Sequence, residues 1–238
     1  YEALVNLAQK DYLIDKQGNF GNILTGDSAS AARYIECRLS QLARETLFNP
    51  KITEFIPSYD GRNQEPVVLP AKIPVLLMHG AEGIAVGMST KILPHNFVEL
   101  LEAQIKILKG EDFEIYPDFI QGGLIDVSEY NDGNGKVKVR ALIETKKSAK
   151  SIIIREIPFG TTVDSLIASI EEAAKKNKIK ISSINDYTAE SVEIEIEPAR
   201  GISNEETIKG LYAFTDCQVS ISVNAIVIKD NKPVNIGV

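Results

Sequence analysis

Ser151-Ile-Ile-Ile-Arg-Glu-Ile157 gives way, across Pro158 and Gly160, to Val163-Asp-Ser-Leu-Ile-Ala-Ser-Ile-Glu-Glu-Ala-Ala-Lys-Lys-Asn177. The first stretch is a β-branched run of strand length; the second is long enough for four helical turns. The alternation extends both ways. A strand is expected before it over residues 136–144, and after it a strand over 192–197, a helix over 205–214 and a β-rich end. This order predicts an α+β layer, a largely antiparallel sheet with helices on one face. No internal repeat or low-complexity tract interrupts it.

Moving toward the amino terminus, Asn96 caps a helix that stops at Gly110, with Val98, Leu101, Ile105 and Leu108 predicted as its apolar face. Residues 59–70 are polar and rich in turn formers, which places a domain boundary there: 1–58 and 59–238. Residues 1–9 show Leu4, Leu7 and Ala8 at helical spacing without a start signal, as expected of a chain truncated at its front. Tyr12-Leu-Ile14 and Phe20-Gly-Asn-Ile23 flank Asp15-Lys-Gln-Gly18 and predict a hairpin that could serve as a wing. Residues 33–39 alternate. Ile35, Cys37 and Leu39 fall on one side of a half-buried strand, and Tyr34, Glu36 and Arg38 on the polar side. Ser40 then caps a helix to about Phe48, with Leu42, Ala43 and Leu47 inward and Pro50 beyond its end.

Composition narrows the function classes. With 238 residues and 44% apolar content, the chain can bury a sizeable core. The apolar run Ile73-Pro-Val-Leu-Leu-Met78 falls far short of the roughly 20 residues a membrane span needs, and the first residues lack a secretory pattern. A cytoplasmic protein without a membrane partner is expected. Cys37 and Cys217 form no CxxC pair and are expected to be small buried residues. His79 and His95 have no acidic partner at ligand spacing, the acidic stretch 111–114 reads as a solvated loop, and no paired aspartates suggest a two-metal site. No metal is assigned to this chain. The net charge of −7 weighs against nucleic-acid binding, which needs Lys and Arg for counterion release. Residues 1–58 nevertheless carry six Lys/Arg against seven Asp/Glu, so the excess acid lies almost wholly beyond them.

Most tyrosines pack half-buried with a wet hydroxyl. Tyr34 stands apart because it sits beside Arg33, near Arg38, and directly after the small-residue run Gly26-Asp-Ser-Ala-Ser-Ala-Ala32, which lets another backbone approach closely. A free phenol is ionised in only about one molecule in a thousand at pH 7, a deficit of roughly 4 kcal/mol that neighbouring cations reduce. A guanidinium could also stabilise phosphoryl oxygens with bidentate geometry unavailable to lysine. The three glycines between Gly80 and Gly87 lack the Gly-Lys-Ser/Thr of a phosphate loop, and a tight structural turn is the plainer reading.

Gln17-Gly-Asn-Phe-Gly21 and Gly26-Asp-Ser-Ala-Ser-Ala-Ala-Arg-Tyr34 closely resemble the active-site segment of gyrase A and topoisomerase IV A subunits. The resemblance continues through Tyr59-Asp-Gly61, Pro70-Ala-Lys-Ile-Pro74, Gly83-Ile-Ala-Val-Gly-Met88, Pro94-His-Asn96, Pro117-Asp-Phe119 and Glu156-Ile-Pro158, covering almost the whole chain. It implies a winged-helix remainder at 1–58 and a tower-like α+β domain at 59–238. It implies that Tyr34, aided by Arg33, forms a transient 5′-phosphotyrosyl bond while a second duplex passes. Ile84 matches the family's isoleucine wedge, and Gly83 and Arg38 join it as DNA-binding candidates. The implied partners are double-stranded DNA, a second copy of the A-type chain, and a B-type subunit that holds Mg²⁺ and uses ATP. The family's His-Pro-His-Gly-Asp motif, its groove-binding helix and its coiled-coil gate are missing from this stretch, which implies an incomplete enzyme. Asn131-Asp-Gly-Asn134 is acidic or neutral where gyrases often carry arginine, and Gly160-Thr-Thr-Val-Asp164 leans toward topoisomerase IV. Two other readings compete: a non-catalytic DNA-binding or scaffolding domain of the same fold, and an unrelated small-molecule binder using residues 80–87.

Overall fold

The computed structural model describes residues 1–145 and 151–238. In chain order, α1 (Glu2–Gln9) leads to β1 (Ile14–Gln17), a single 3-10 turn (Ala32–Tyr34), β2 (Glu36–Leu39) and α2 (Gln41–Leu47). Then come β3 (Phe55–Pro57), β4 (Gln64–Pro66), α3 (Val75–His79), β5 (Ala81–Ala85), β6 (Met88–Ile92) and α4 (Phe97–Lys109). The rest is β7 (Leu124–Asp126), β8 (Lys136–Arg140), β9 (Leu142–Thr145), β10 (Ile152–Glu156), α5 (Val163–Lys175), β11 (Ile181–Asp186), β12 (Ile194–Pro198), α6 (Asn204–Phe214), β13 (Gln218–Ser222), β14 (Ile226–Lys229) and β15 (Lys232–Asn235). Every strand pair among the described residues is antiparallel. The predicted α+β class with antiparallel sheets therefore holds.

The largest core forms around the strand and helix predicted over residues 151–177. Strands β11-β12-β10-β9 make a four-stranded sheet. Ile152, Ile154, Ile194 and Ile196 point from one face into Val163, Leu166, Ile170 and Ala173 of α5 and Leu211 of α6. Alternation along the strands and the 3.6-residue period along α5 thus meet in one apolar layer. Thr162 starts α5 with a reciprocal capping box: its Oγ1 accepts from Ser165 N, and Ser165 Oγ accepts from Thr162 N. Ile154 is fully buried on the central strand β10. Ile154→Ala should lower the unfolding free energy by about 2–5 kcal/mol, read as an earlier urea midpoint with an unchanged slope.

A second core joins the amino-terminal elements: Ala8, Leu13, Ile14, Phe20 and Ala43 pack with Met78 and Leu100. Ser40 ties them together, donating through Oγ to Tyr12 O at 2.6 Å and accepting from Ala43 N at 3.0 Å as the expected helix cap. A third core gathers Leu93, Phe119, Tyr130, Val137, Val139 and Val223 behind the β13-β8-β7 sheet.

Four local expectations are corrected. First, β1 does not pair with residues 20–23 but with β2, with Asp15 opposite Arg38 across an 18-residue connection that spans 18–35. Second, Tyr34 belongs to the 3-10 turn and not to the strand, and β2 is exposed along its length, so Cys37 is exposed while only Cys217 is buried. Only the Ile14 end of the ribbon reaches the second core, and β2 lies outside it. Third, α4 has the expected ends, with Asn96 Oδ1 accepting from Val98 N and Glu99 N and Gly110 closing the helix, but buries Leu100 and Ala103 while Val98, Ile105 and Leu108 are exposed. Fourth, the single strand expected over 136–144 breaks at Ala141. Its N–H donates to Cys217 O at 2.8 Å and its carbonyl accepts from Tyr212 Oη at 2.9 Å, so β8 and β9 enter different sheets.

Candidate functional site

Tyr34 ends the 3-10 turn, its N–H donating to Ala31 O at 2.9 Å. The turn lifts the side chain clear of the ribbon, and Tyr34 is 66% exposed. The Arg33 guanidinium carbon lies 4.6 Å from the Tyr34 ring centroid, a cation–π contact that keeps positive charge over the phenol. An accessible hydroxyl with an adjacent guanidinium is what attack on an anionic diester needs: a reachable nucleophile and a bidentate donor for the phosphoryl oxygens.

The approach to this turn is built by the segment between β1 and β2. Gly18 sits at φ +97°, and a Cβ there would come within 2.9 Å of the Tyr34 carbonyl oxygen. Only glycine allows both that backbone conformation and that closeness. Asn22 folds the following residues back, accepting from Gly26 N through its carbonyl and from Leu24 N through Oδ1, and Ser30 N donates to Asn19 O at 3.0 Å. The far side of this segment is fastened to the large core: Val163 N, at the start of α5, donates to Leu24 O at 2.7 Å. Local sequence gave no sign of that link.

Arg38 lies on β2 with its Nε 3.2 Å from Asp15 Oδ2, and both side chains are well exposed. Exposed pairs of this kind contribute about 0–1 kcal/mol, so a stronger anion could draw the guanidinium away. Gly83 and Ile84 belong to a different element, the β5–β6 hairpin. Gly83 pairs with Thr90 and Ile84 with Ser89, and the ribbon turns through Val86 and Gly87, the latter at φ +75°. Ile84 is 86% exposed and Val86 fully so. Residues 81–85 therefore form a ladder strand with an apolar tip and not a loop of free N–H groups around a phosphate, which removes the glycine-loop basis for a small-molecule reading.

Among the described residues no three His, Cys, Asp or Glu side chains come together to hold a metal ion. His95 is buried between Leu77 O and Tyr130 Oη, each 3.3 Å from a ring nitrogen. Burial holds the imidazole below its usual pKa and pushes the Tyr130 phenol up to about 12. A neutral ring linking two neutral partners is a packing element. His79 stacks on Tyr12 at 6.0 Å beside a cleft of about 580 Å³, with its buried Nε2 lacking a hydrogen-bond partner among the described residues. No helix among them is long and apolar enough to cross a membrane.

The sequence around this geometry has close relatives among known proteins. The family model for the A subunit of DNA gyrase/topoisomerase IV matches residues 1–238. The chain is 60% identical to the A subunit of DNA topoisomerase 4 from Borreliella burgdorferi, over 98% of its own length and 37% of the relative's. It is 42% identical to the A subunit of DNA gyrase from Lawsonia intracellularis and 35% identical to that from Helicobacter pylori, over 98% of its length and 31% of theirs in both cases. The chain thus spans roughly a third of the length of these curated relatives.

Proposed function

Since the chain belongs to the family of DNA gyrase/topoisomerase IV A subunits, we propose that it is part of the DNA breakage-reunion subunit of an ATP-dependent type II DNA topoisomerase and that Tyr34 cleaves the DNA backbone. The observation that carries this reading is the exposed phenol held beneath the Arg33 guanidinium at the end of the 3-10 turn. In the step we assign, Tyr34 Oη attacks a backbone phosphorus, the new O–P bond forms as the P–O3′ bond breaks, and the phenolic proton is lost while the departing 3′ oxygen gains one. The product is a 5′-phosphotyrosyl link and a free 3′ hydroxyl; religation reverses it. Arg33 balances charge on the phosphoryl oxygens. Arg38 and Gly83 line the DNA path.

On this reading residues 1–58 are the remainder of a winged-helix domain and residues 59–238 a tower-like domain, the two meeting in the core that joins Ala8 and Ala43 to Met78 and Leu100. The partners are double-stranded DNA, a second copy of the A-type chain, and a B-type subunit, in a cytoplasmic, chromosome-associated assembly. The B-type partner holds Mg²⁺ and hydrolyses ATP; the ion, when bound, neutralises charge at the cleaved phosphate. Rapid denaturation of a cleavage reaction by the full assembly should leave the 5′ ends bound to protein. A scaffolding role would leave them free.

Ile84 is assigned a mechanical part. An exposed apolar side chain at the tip of a narrow ribbon can enter a base step and kink the duplex, at an unstacking cost of a few kcal/mol. Ile84→Ala in the full assembly should lower the bend measured by end-to-end fluorescence transfer on a short duplex, and cleavage with it. An unchanged bend angle would remove the wedge.

A further inference from the structure

The β5–β6 ribbon is fastened along one strand to a residue more than a hundred positions away. Asn224 donates from its N–H to Lys91 O at 3.0 Å, and its carbonyl accepts from Lys91 N at 2.9 Å. The same carbonyl accepts from Thr90 Oγ1 at 3.1 Å. Its side chain reaches one residue closer to the tip, where Nδ2 donates to Ser89 O at 2.9 Å. Ser89 is the cross-strand partner of Ile84. Three consecutive residues of β6 are thus tied to one asparagine, and the last tie falls opposite the exposed isoleucine.

Asn224 is itself held in place. Asn235 Nδ2 donates to its Oδ1 at 2.7 Å, which orients the amide so that its nitrogen faces Ser89. Val223 and Ala225 on either side are buried; Val223 N donates to Gly135 O at 2.9 Å and Ala225 N to Asn134 Oδ1 at 3.1 Å. A two-stranded ribbon alone is marginally stable and bends easily. Force applied at its tip has to be resisted at its root.

We infer that Asn224 is a positioning residue for the Ile84 wedge: its amide fixes the strand opposite Ile84 and passes the load of kinking the duplex into the β13-β8-β7 body. This rests on the wedge reading of Ile84. Side-chain substitution leaves the main-chain bridge to Lys91 in place, so the fold should survive it.

The test uses the full-length protein in complex with its B-type partner. Asn224→Asp keeps the size but sets a carboxylate oxygen against Ser89 O; Asn224→Ala removes the amide. In both, the bent fraction and the cleavage rate should fall roughly three- to tenfold, the scale of one net hydrogen bond, with unchanged thermal midpoint. A duplex carrying a mismatch at the kinked step, which is easier to unstack, should restore most of the loss. In the Ile84→Ala background, Asn224→Ala should cause no further loss. If the Asn224 variants bend DNA as wild type does while Ile84→Ala does not, this inference fails and the wedge stands. An equal loss in both backgrounds, or no rescue by the mismatch, would also overturn it. If Ile84→Ala itself leaves the bend unchanged, the wedge reading fails and this inference goes with it.

Discussion

Tyr34→Phe, introduced into the full-length protein in complex with its B-type partner, should abolish strand cleavage, a loss of at least about a thousandfold, while duplex affinity changes by less than about twofold. The substitution removes only Oη, the atom proposed to bond to phosphorus. The ring remains, and with it the Arg33 contact at 4.6 Å. The hydroxyl makes no hydrogen bond to another described residue and the side chain is largely exposed, so folding should be untouched. Cleavage is read by the protein-linked ends after denaturation and affinity by a gel-shift titration. Retained cleavage by the Phe variant would show that the nucleophile lies elsewhere.

The second large effect is an absence of activity. Supercoiled plasmid incubated with Mg²⁺ and the 238-residue chain alone should stay supercoiled, whereas the full-length protein with its B-type partner and ATP should relax the same DNA to completion. Phosphoryl transfer from a neutral phenol needs charge neutralised at the phosphate and at the departing oxygen. On the proposed mechanism Arg33 would supply one cation and the B-type partner the metal ion, so the isolated chain would lack the second charge. Weak binding compounds this, because a net charge of −7 predicts feeble, salt-sensitive contact with a duplex. Robust Mg²⁺-dependent relaxation by the isolated chain would mean that the catalytic constellation is complete within it.

How far the sequence could be read depended on whether a segment's structure is decided locally. Asn96 and Gly110 bound α4 and Ser40 starts α2 as the sequence implies, because cap chemistry acts over three or four residues. Burial is a tertiary matter. The end of α4 carries Ile105, Ile107 and Leu108 in close succession, so periodicity alone could not say which face would be covered, and the structure covers Leu100 and Ala103. The strand from residue 136 looked continuous until Cys217 and Tyr212, from the far end of the chain, took both main-chain groups of Ala141.

The candidate site divides in the same way. Tyr34, Arg33 and Ile84 were singled out in the sequence through their motifs, and the structure places Tyr34 and Ile84 at exposed positions. The support around them was not. Alternation at 33–39 suggested a strand, but the carbonyl of Ala31 captures Tyr34 N and makes a 3-10 turn, with Gly18, 16 residues earlier at the start of the same connection, packed against it. The ties from Val163 to Leu24 and from Asn224 to Ser89 join residues more than a hundred apart, and nothing in either neighbourhood announces the other.

One particular oxygen, Tyr34 Oη, is proposed to hold the broken strand, and the attachment can be located directly. The full assembly is allowed to cleave DNA, denatured, digested with nuclease and trypsin, and the nucleotide-bearing peptide is sequenced by mass spectrometry. Arg33 and Arg38 bracket the site, so a nucleotide is expected on the tryptic peptide Tyr34-Ile-Glu-Cys-Arg38, with fragmentation to a modified Tyr34. A nucleotide on Tyr1, Tyr12, Tyr59 or any other residue, or DNA relaxed with no adduct formed, would contradict it.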